Sequence, residues 1–141
     1  MTGFVRKRYI ALIALGVLLL LVVTFLFQAL TIYDSQAIAK EAGSSIGINP
    51  LGDRIDFGDI PQGIAVSKTL ILENRGVVPN QIVIFVVGSI GDLVRVEPSS
   101  LTLEGGETKE VRFRLTMPVS APVEKKYSGK VFVLRLPRRL W

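Results

Sequence analysis

The chain has 141 residues, which is enough for one small domain and one further segment but not for a second domain with its own core. It combines 49% hydrophobic residues and a net charge of +5 with a complete lack of histidine and cysteine. Without these two residue types a Ser-His-Asp triad, a thiol nucleophile and nearly all zinc or copper sites are excluded. We therefore predict a non-enzymatic protein with no cofactor, no metal site and no small-molecule substrate.

The hydrophobic residues are concentrated near the N-terminus. Residues 9–30 are apolar, aromatic or glycine except for Thr24 and Gln28. As a helix this run would measure roughly 33 Å, close to the thickness of the hydrocarbon core of a bilayer. It also lacks the polar stripe that an amphipathic core helix would show. The pattern predicts a transmembrane helix over residues 9–30.

We expect this helix to be anchored by Tyr9, Leu19 and Leu30, at its two ends and its middle. A cleaved secretory signal is the alternative, because a basic flank precedes the apolar run. The apolar part of such a signal is normally about 7 to 15 residues long, which is shorter than the run observed here. The length therefore favours an uncleaved signal-anchor.

The basic residues Arg6, Lys7 and Arg8 stand directly before the helix and predict its orientation. Positive charge near a membrane span stays on the cytoplasmic side, so residues 1–8 should be a cytoplasmic stub and the C-terminal domain should be extracytoplasmic at the cell membrane. The 14 basic and 12 acidic residues that remain nearly balance. This balance argues against a nucleic-acid partner.

Thr24 and Gln28 lie four residues apart and share one face of the predicted helix. Their side chains are candidates for hydrogen bonds to a neighbouring helix. In the alternative interpretation, Gln28 reaches the outer interface of the membrane.

Residues 31–53 are predicted as a helical extension followed by a linker. Residues 31–42 contain helix-forming Gln, Ala, Lys and Glu, and Gly43 is a favoured residue at a helix end. Residues 43–52 are rich in glycine and serine, which is typical of a flexible connection.

Residues 54–136 show a two-residue periodicity with turn residues about every ten positions, which predicts an all-β, seven-stranded, immunoglobulin-like β-sandwich. The predicted strands are residues 54–58, 66–74, 81–87, 93–97, 101–103, 109–117 and 127–136. The sixth alternates strictly between apolar and polar residues. The third is apolar on both faces, so it is either covered twice or meets a partner.

Several short segments of this region resemble one family. They are residues 55–63 (IDFGDIPQG), 67–76 (SKTLILENRG), 98–108 (PSSLTLEGGET) and 127–129 (YSG). In order and spacing they are similar to the ASH/major-sperm-protein-like immunoglobulin-fold domains, over about residues 54–136. The resemblance implies a binding or scaffold role without a common chemistry.

The chain ends in a basic tail, residues 137–141, that contains its single tryptophan. Seven antiparallel strands would direct this tail away from the membrane. Arg138, Arg139 and Trp141 are candidate partner contacts, because arginine and tryptophan often contribute most of the binding energy at interfaces.

These observations predict a single-pass membrane protein with a protein partner, acting as a scaffold, adhesion or assembly subunit at the cell surface. One alternative is a pilin-like or archaellum-accessory filament or stator subunit, because the layout of anchor helix and sandwich is similar. A second is an accessory subunit of a larger membrane enzyme or translocase.

Overall fold

A computed structural model describes residues 2–44, with side chains from residue 7, and residues 55–138. The described residues form two compact units that divide between Thr31 and Ile32. The predictions that concern the side chain of Arg6, residues 45–54 (most of the linker), Arg139 and Trp141 lie outside the described part of the chain.

The first unit contains the helix α1 (Thr2–Ala29). The large apolar side chains from Tyr9 to Phe27 are 41–82% exposed, so they form no core of their own. The segment Lys7–Ala29 contains an 18-residue stretch with a mean hydropathy of 3.1 and is long and apolar enough to cross a membrane. The predicted apolar helix is therefore confirmed. Its properties fit a membrane anchor, and they are shared by signal sequences.

The second unit is a β-sandwich of two sheets. In the described residues it has eight strands, so the predicted number of seven is wrong. The strands are β1 (Leu30–Lys40), β2 (Ile55–Pro61), β3 (Ala65–Glu73), β4 (Asn80–Gly88), β5 (Val94–Glu97), β6 (Ser100–Leu103), β7 (Thr108–Thr116) and β8 (Lys126–Pro137). One sheet has the order β2-β1-β8-β4-β6 and the other has the order β3-β7-β5. Strands β2 to β8 correspond in order to the seven predicted strands.

The additional strand is β1, and it corrects two predictions. Residues 31–42 are not a helical extension, and Leu30 is the first residue of β1 rather than the last residue of the helix. The inward side chains Ser35, Ala37 and Ala39 are small and 0–3% exposed, which lets β1 pack closely into the core. Hydrogen bonding to β2 on one side and β8 on the other outweighs the local helix propensity. The sandwich therefore begins at Leu30 and not at residue 54.

Strand β1 determines which end of the sandwich the chain enters. It runs parallel to β2. The amide of Ala39 donates to the carbonyl of Lys125 at 3.0 Å, and the amide of Glu124 donates to the carbonyl of Ala39 at 2.8 Å. The end of β1 thus lies beside the start of β8, so these neighbours run antiparallel and β8 ends where β1 begins. The prediction that the last strand ends at the other end of the sandwich from the start of the first strand is therefore wrong.

The core lies between the two sheets. On β7 the side chains of Val111, Phe113 and Leu115 are completely buried, whereas Arg112 and Arg114 are exposed, which confirms the predicted alternation. The other large side chains that are fully buried are Phe57, Ile60, Leu72, Ile82, Ile90, Leu103, Met117, Val131 and Val133. Their burial supplies most of the driving force for folding of the sandwich.

The turn between β3 and β4 is fixed by the buried side chain of Asn74. Its Nδ2 donates to the carbonyl oxygens of Val78 at 2.9 Å, and of Leu103 and Glu104 at 3.1 Å each. Its Oδ1 accepts hydrogen bonds from the Gly76 amide and from Asn80 Nδ2, both at 3.1 Å. One amide group therefore connects this turn to the turn that follows β6.

An Asn74→Ala variant should lower the free energy of unfolding by about 2 kcal/mol, because it leaves buried backbone groups without their partner. Denaturant unfolding of the full chain, followed by circular dichroism, would measure the loss. Asn80→Ala is the matched control: one hydrogen bond connects the Asn80 side chain to Asn74, so the loss should be less than half as large. Equal losses would contradict the central role of Asn74.

Candidate functional site

The outer face of the five-stranded sheet carries a continuous apolar surface. It is formed where β4 and β8 pair antiparallel, with Val83 opposite Leu134, Phe85 opposite Phe132 and Gln81 opposite Leu136. We call Val83, Phe85, Val87, Phe132, Leu134 and Leu136 the apolar face. The alternate residues of the same strands, such as Ile84 and Val133, are buried in the core. Both sides of these two strands are therefore apolar, but one side is covered by the other sheet.

Two stacked aromatic rings lie at the centre of the apolar face. The centroids of Phe85 and Phe132 are 5.1 Å apart and their planes differ by 8°. Phe85 is 44% exposed, Val87 43% and Leu136 39%. Val83, Phe132 and Leu134 beside them are partly exposed. Contiguous exposed apolar surface of this kind usually marks an interaction site in a folded domain.

The neighbouring strand β1 extends this surface. Its outward residues include Ile38, which lies between the buried Ala37 and Ala39, and Ile32, which is 48% exposed. Polar groups lie next to it in a shallow open hollow lined by Asp34, Ser35, Gln36, Lys126, Ser128 and Gly129. An apolar centre with a polar rim is the usual composition of a protein interface.

The outer face of the three-stranded sheet is different. Its exposed side chains include Arg95, Arg112 and Arg114, with Arg95 directly opposite Arg114 in the pairing of β5 and β7. Ile71 is also exposed there, at 63%, but among polar neighbours. Of these two outer faces, that of the five-stranded sheet is therefore the more apolar among the described residues.

Several other polar groups make contacts within the sandwich. The Asp56 carboxylate accepts hydrogen bonds from Gln36 Nε2 at 2.7 Å and from the Gly58 amide at 2.8 Å. Lys40 Nζ lies 2.8 Å from both carboxylate oxygens of Glu124, and this hydrogen bonding raises the pKa of Lys40. In the part of the chain that the structure describes, no three acidic side chains come together as metal ligands.

The residues predicted as contacts fall into separate places. In α1 the Thr24 hydroxyl donates to the carbonyl of Leu20 at 2.8 Å, and the side chain of Gln28 is exposed. Arg138 continues past β8, with its amide 2.7 Å from the carbonyl of Pro79 and its Nη1 3.4 Å from Thr102 Oγ1. None of the three belongs to the apolar face, and a role for each in binding stays a prediction.

The apolar face itself was predicted in part. The two-sided apolar pattern of residues 81–87 indicated either double coverage or a partner, and the exposure of Phe85 and Val87 rules out double coverage within the described chain. The contribution of β8 was missed, although its segment 131–134 (VFVL) is also apolar on both faces. This second apolar run could have indicated that β8 contributes to the exposed surface.

No protein-family model and no curated protein matches this chain. The resemblance of residues 54–136 to ASH/major-sperm-protein-like domains therefore stays a prediction.

Proposed function

We propose that this chain is a non-enzymatic, membrane-anchored scaffold or assembly subunit that binds another protein through the apolar face. The observation that carries the proposal is the exposed apolar surface around the Phe85–Phe132 stack. A folded domain that keeps such a surface in water loses free energy relative to one that covers it. Covering it with a partner is the simplest explanation for its presence.

The shape of the surface favours a protein as the partner. Small-molecule sites are usually concave, whereas the apolar face lies on paired strands of a sheet and is centred on aromatic rings. Aromatic side chains in the middle of a patch often supply most of the binding energy at protein interfaces. The rim of Asp34, Gln36 and Lys126 would then provide polar contacts around this centre.

The helix α1 supports a location at the cell membrane. Its exposed apolar side chains would be covered by lipid, and Lys7 and Arg8 at its N-terminal part favour a cytoplasmic N-terminus. We propose that α1 is an uncleaved anchor and that the sandwich is extracytoplasmic. In this arrangement the anchor confines the apolar face to a layer close to the membrane, which raises its effective concentration towards partners in that layer.

We also propose that the sandwich is immunoglobulin-like. The sheet order β3-β7-β5 fits the neighbours B-E-D of that fold, and β4-β8-β1 fits C-F-G. The departure is that the place of the last strand, G, is taken by the first strand of this sandwich. The strands β2 and β6, at the two edges of the five-stranded sheet, lie outside this correspondence.

Photocrosslinking in intact membranes tests the proposed surface. A full-length variant with the photoreactive residue p-benzoylphenylalanine at position 85 should form a discrete adduct, because this position lies in the centre of the apolar face. The matched control has the same residue at position 71, where Ile71 is equally apolar and more exposed but lies on the other sheet. The control should give little or no adduct.

A Phe132→Ser substitution added to the position-85 variant should reduce the adduct yield several-fold while circular dichroism still shows a folded sandwich. An adduct of twice the mass of the chain would identify a second copy of this chain as the partner, which agrees with an assembly subunit. Equal adducts from positions 85 and 71, or none from position 85, would contradict the proposal.

A further inference from the structure

The loop between β3 and β4 carries two exposed apolar side chains. Val77 is 93% exposed and Val78 is 50% exposed. Loop tips in water are usually formed by Gly, Pro, Asn, Asp and Ser, because these residues suit turns and interact well with solvent. Two adjacent β-branched side chains at such a tip need a different explanation.

The backbone of the loop is held in place by hydrogen bonds, so the fold itself fixes the exposed position of Val77. The buried Asn74 side chain binds its backbone, and the Arg138 amide donates to the carbonyl of Pro79 at 2.7 Å. Gly105 lies so close that a Cβ there would be 2.7 Å from the carbonyl oxygen of Val77. The fold thus fixes the backbone of this loop while the two valine side chains point into open space.

This loop lies at the end of the sandwich where the chain arrives from α1. Strand β4 begins at Asn80, opposite Pro137 at the end of β8, and β8 ends where β1 begins. Strand β1 begins at Leu30, and α1 ends one residue earlier, at Ala29. No linker separates the apolar helix from this strand, so the tip of the loop is at the end of the sandwich that is joined to the anchor.

The charges around the loop nearly cancel. Its end of the sandwich has the basic residues Arg75, Lys109, Arg135 and Arg138 and the acidic residues Glu73, Glu104 and Glu107. Two close pairs form, Arg75–Glu73 at 2.8 Å and Lys109–Glu107 at 3.0 Å. The backbone amide of Glu104, and secondly Lys109, lower the pKa of Glu107, so this carboxylate stays ionised. This end of the sandwich therefore has little net charge to attract anionic lipid, and Val77 and Val78 are its exposed apolar side chains.

We propose that Val77 and Val78 insert into the interface of the bilayer that holds α1. This inference rests on the proposed anchor. The occupant of the valine tip is the lipid surface itself, and the insertion depends on the burial of apolar side chains rather than on lipid charge. It restricts how far the sandwich moves from the membrane.

The absence of cysteine from the chain allows a direct test. Full-length Val77→Cys is labelled with an environment-sensitive fluorophore and reconstituted into vesicles of neutral phosphatidylcholine. Val119→Cys is the matched control: this valine is 79% exposed and follows β7, at the opposite end of the sandwich. The probe at position 77 should show blue-shifted emission and several-fold weaker quenching by aqueous iodide than the probe at position 119. Val78→Cys should behave as Val77→Cys does.

The same result is expected when part of the neutral lipid is replaced by anionic lipid. Equal quenching at positions 77 and 119 in vesicles to which the chain is bound would overturn the insertion of the loop and leave the anchor intact. Protection that occurs only with anionic lipid would also overturn it, because the cause would then be charge. A chain that does not float with the vesicles would overturn the anchor together with the loop.

Discussion

A Gly129→Ala variant is expected to lose about 3 kcal/mol of the free energy of unfolding of the sandwich. Gly129 lies opposite Gly88 in the antiparallel pairing of β8 with β4. A Cβ at position 129 would overlap the carbonyl oxygen of Val87 and would lie 2.8 Å from Cγ2 of Ile90. Because the Val87 carbonyl belongs to a strand, it cannot move away without disturbing the pairing that forms the apolar face.

Chemical unfolding of the full chain in detergent, followed by the β-sheet signal in circular dichroism, would measure this loss. Gly106→Ala is the control, since Gly106 has a φ of +75° but open space where a Cβ would be placed. That variant should lose about 1 kcal/mol, the cost of the left-handed backbone conformation alone. If both variants lost the same amount, the close approach of β4 and β8 would not be the reason that position 129 is a glycine.

The strands of the sandwich were largely predictable because their side chains alternate between two environments. On β7 the buried Val111, Phe113 and Leu115 alternate with charged residues, and this pattern is visible in the sequence. Local pattern is sufficient here because the burial of one face repeats with the two-residue period of a strand.

Strand β1 was not predictable in the same way. Its inward residues Ser35, Ala37 and Ala39 are small, so the alternation has little hydrophobic contrast, and the intervening residues have good helix propensity. What makes this segment a strand is the pairing with β2 and β8, which are distant in sequence. A pattern within eleven residues contains no information about those partners.

The sequence predicted only one of the two strands that form the candidate site, namely β4. The two-sided apolar character of β4 is visible in the sequence, but which of its faces meets the other sheet depends on the pairing of both strands. The register that places Phe132 beside Phe85 brings together residues 47 positions apart. Such a surface exists only once β4 and β8 are aligned.

Replacement by alanine should destabilise the sandwich much more at Phe113 than at Phe85. Phe113 is completely buried in the core, so Phe113→Ala should lower the free energy of unfolding by about 3 to 5 kcal/mol through lost apolar contacts and a residual cavity. Phe85 is 44% exposed, and Phe85→Ala should cost about 1 kcal/mol, mainly the stacking with Phe132. Denaturant unfolding of the two full-length variants under the same conditions would measure both values.

Binding of the partner should depend more on Phe85 than on Phe113. With the photoreactive residue at position 132, Phe85→Ala should reduce the adduct with the partner several-fold although the sandwich remains folded. A conservative core change, Phe113→Leu, should leave the adduct nearly unchanged in the molecules that are folded, because position 113 lies on the opposite sheet and faces inward. Stability and binding would then depend on different aromatic residues, as expected if the side chains between the two sheets build the core and the apolar face binds a partner. Loss of the adduct in Phe113→Leu, together with its retention in Phe85→Ala, would contradict this division.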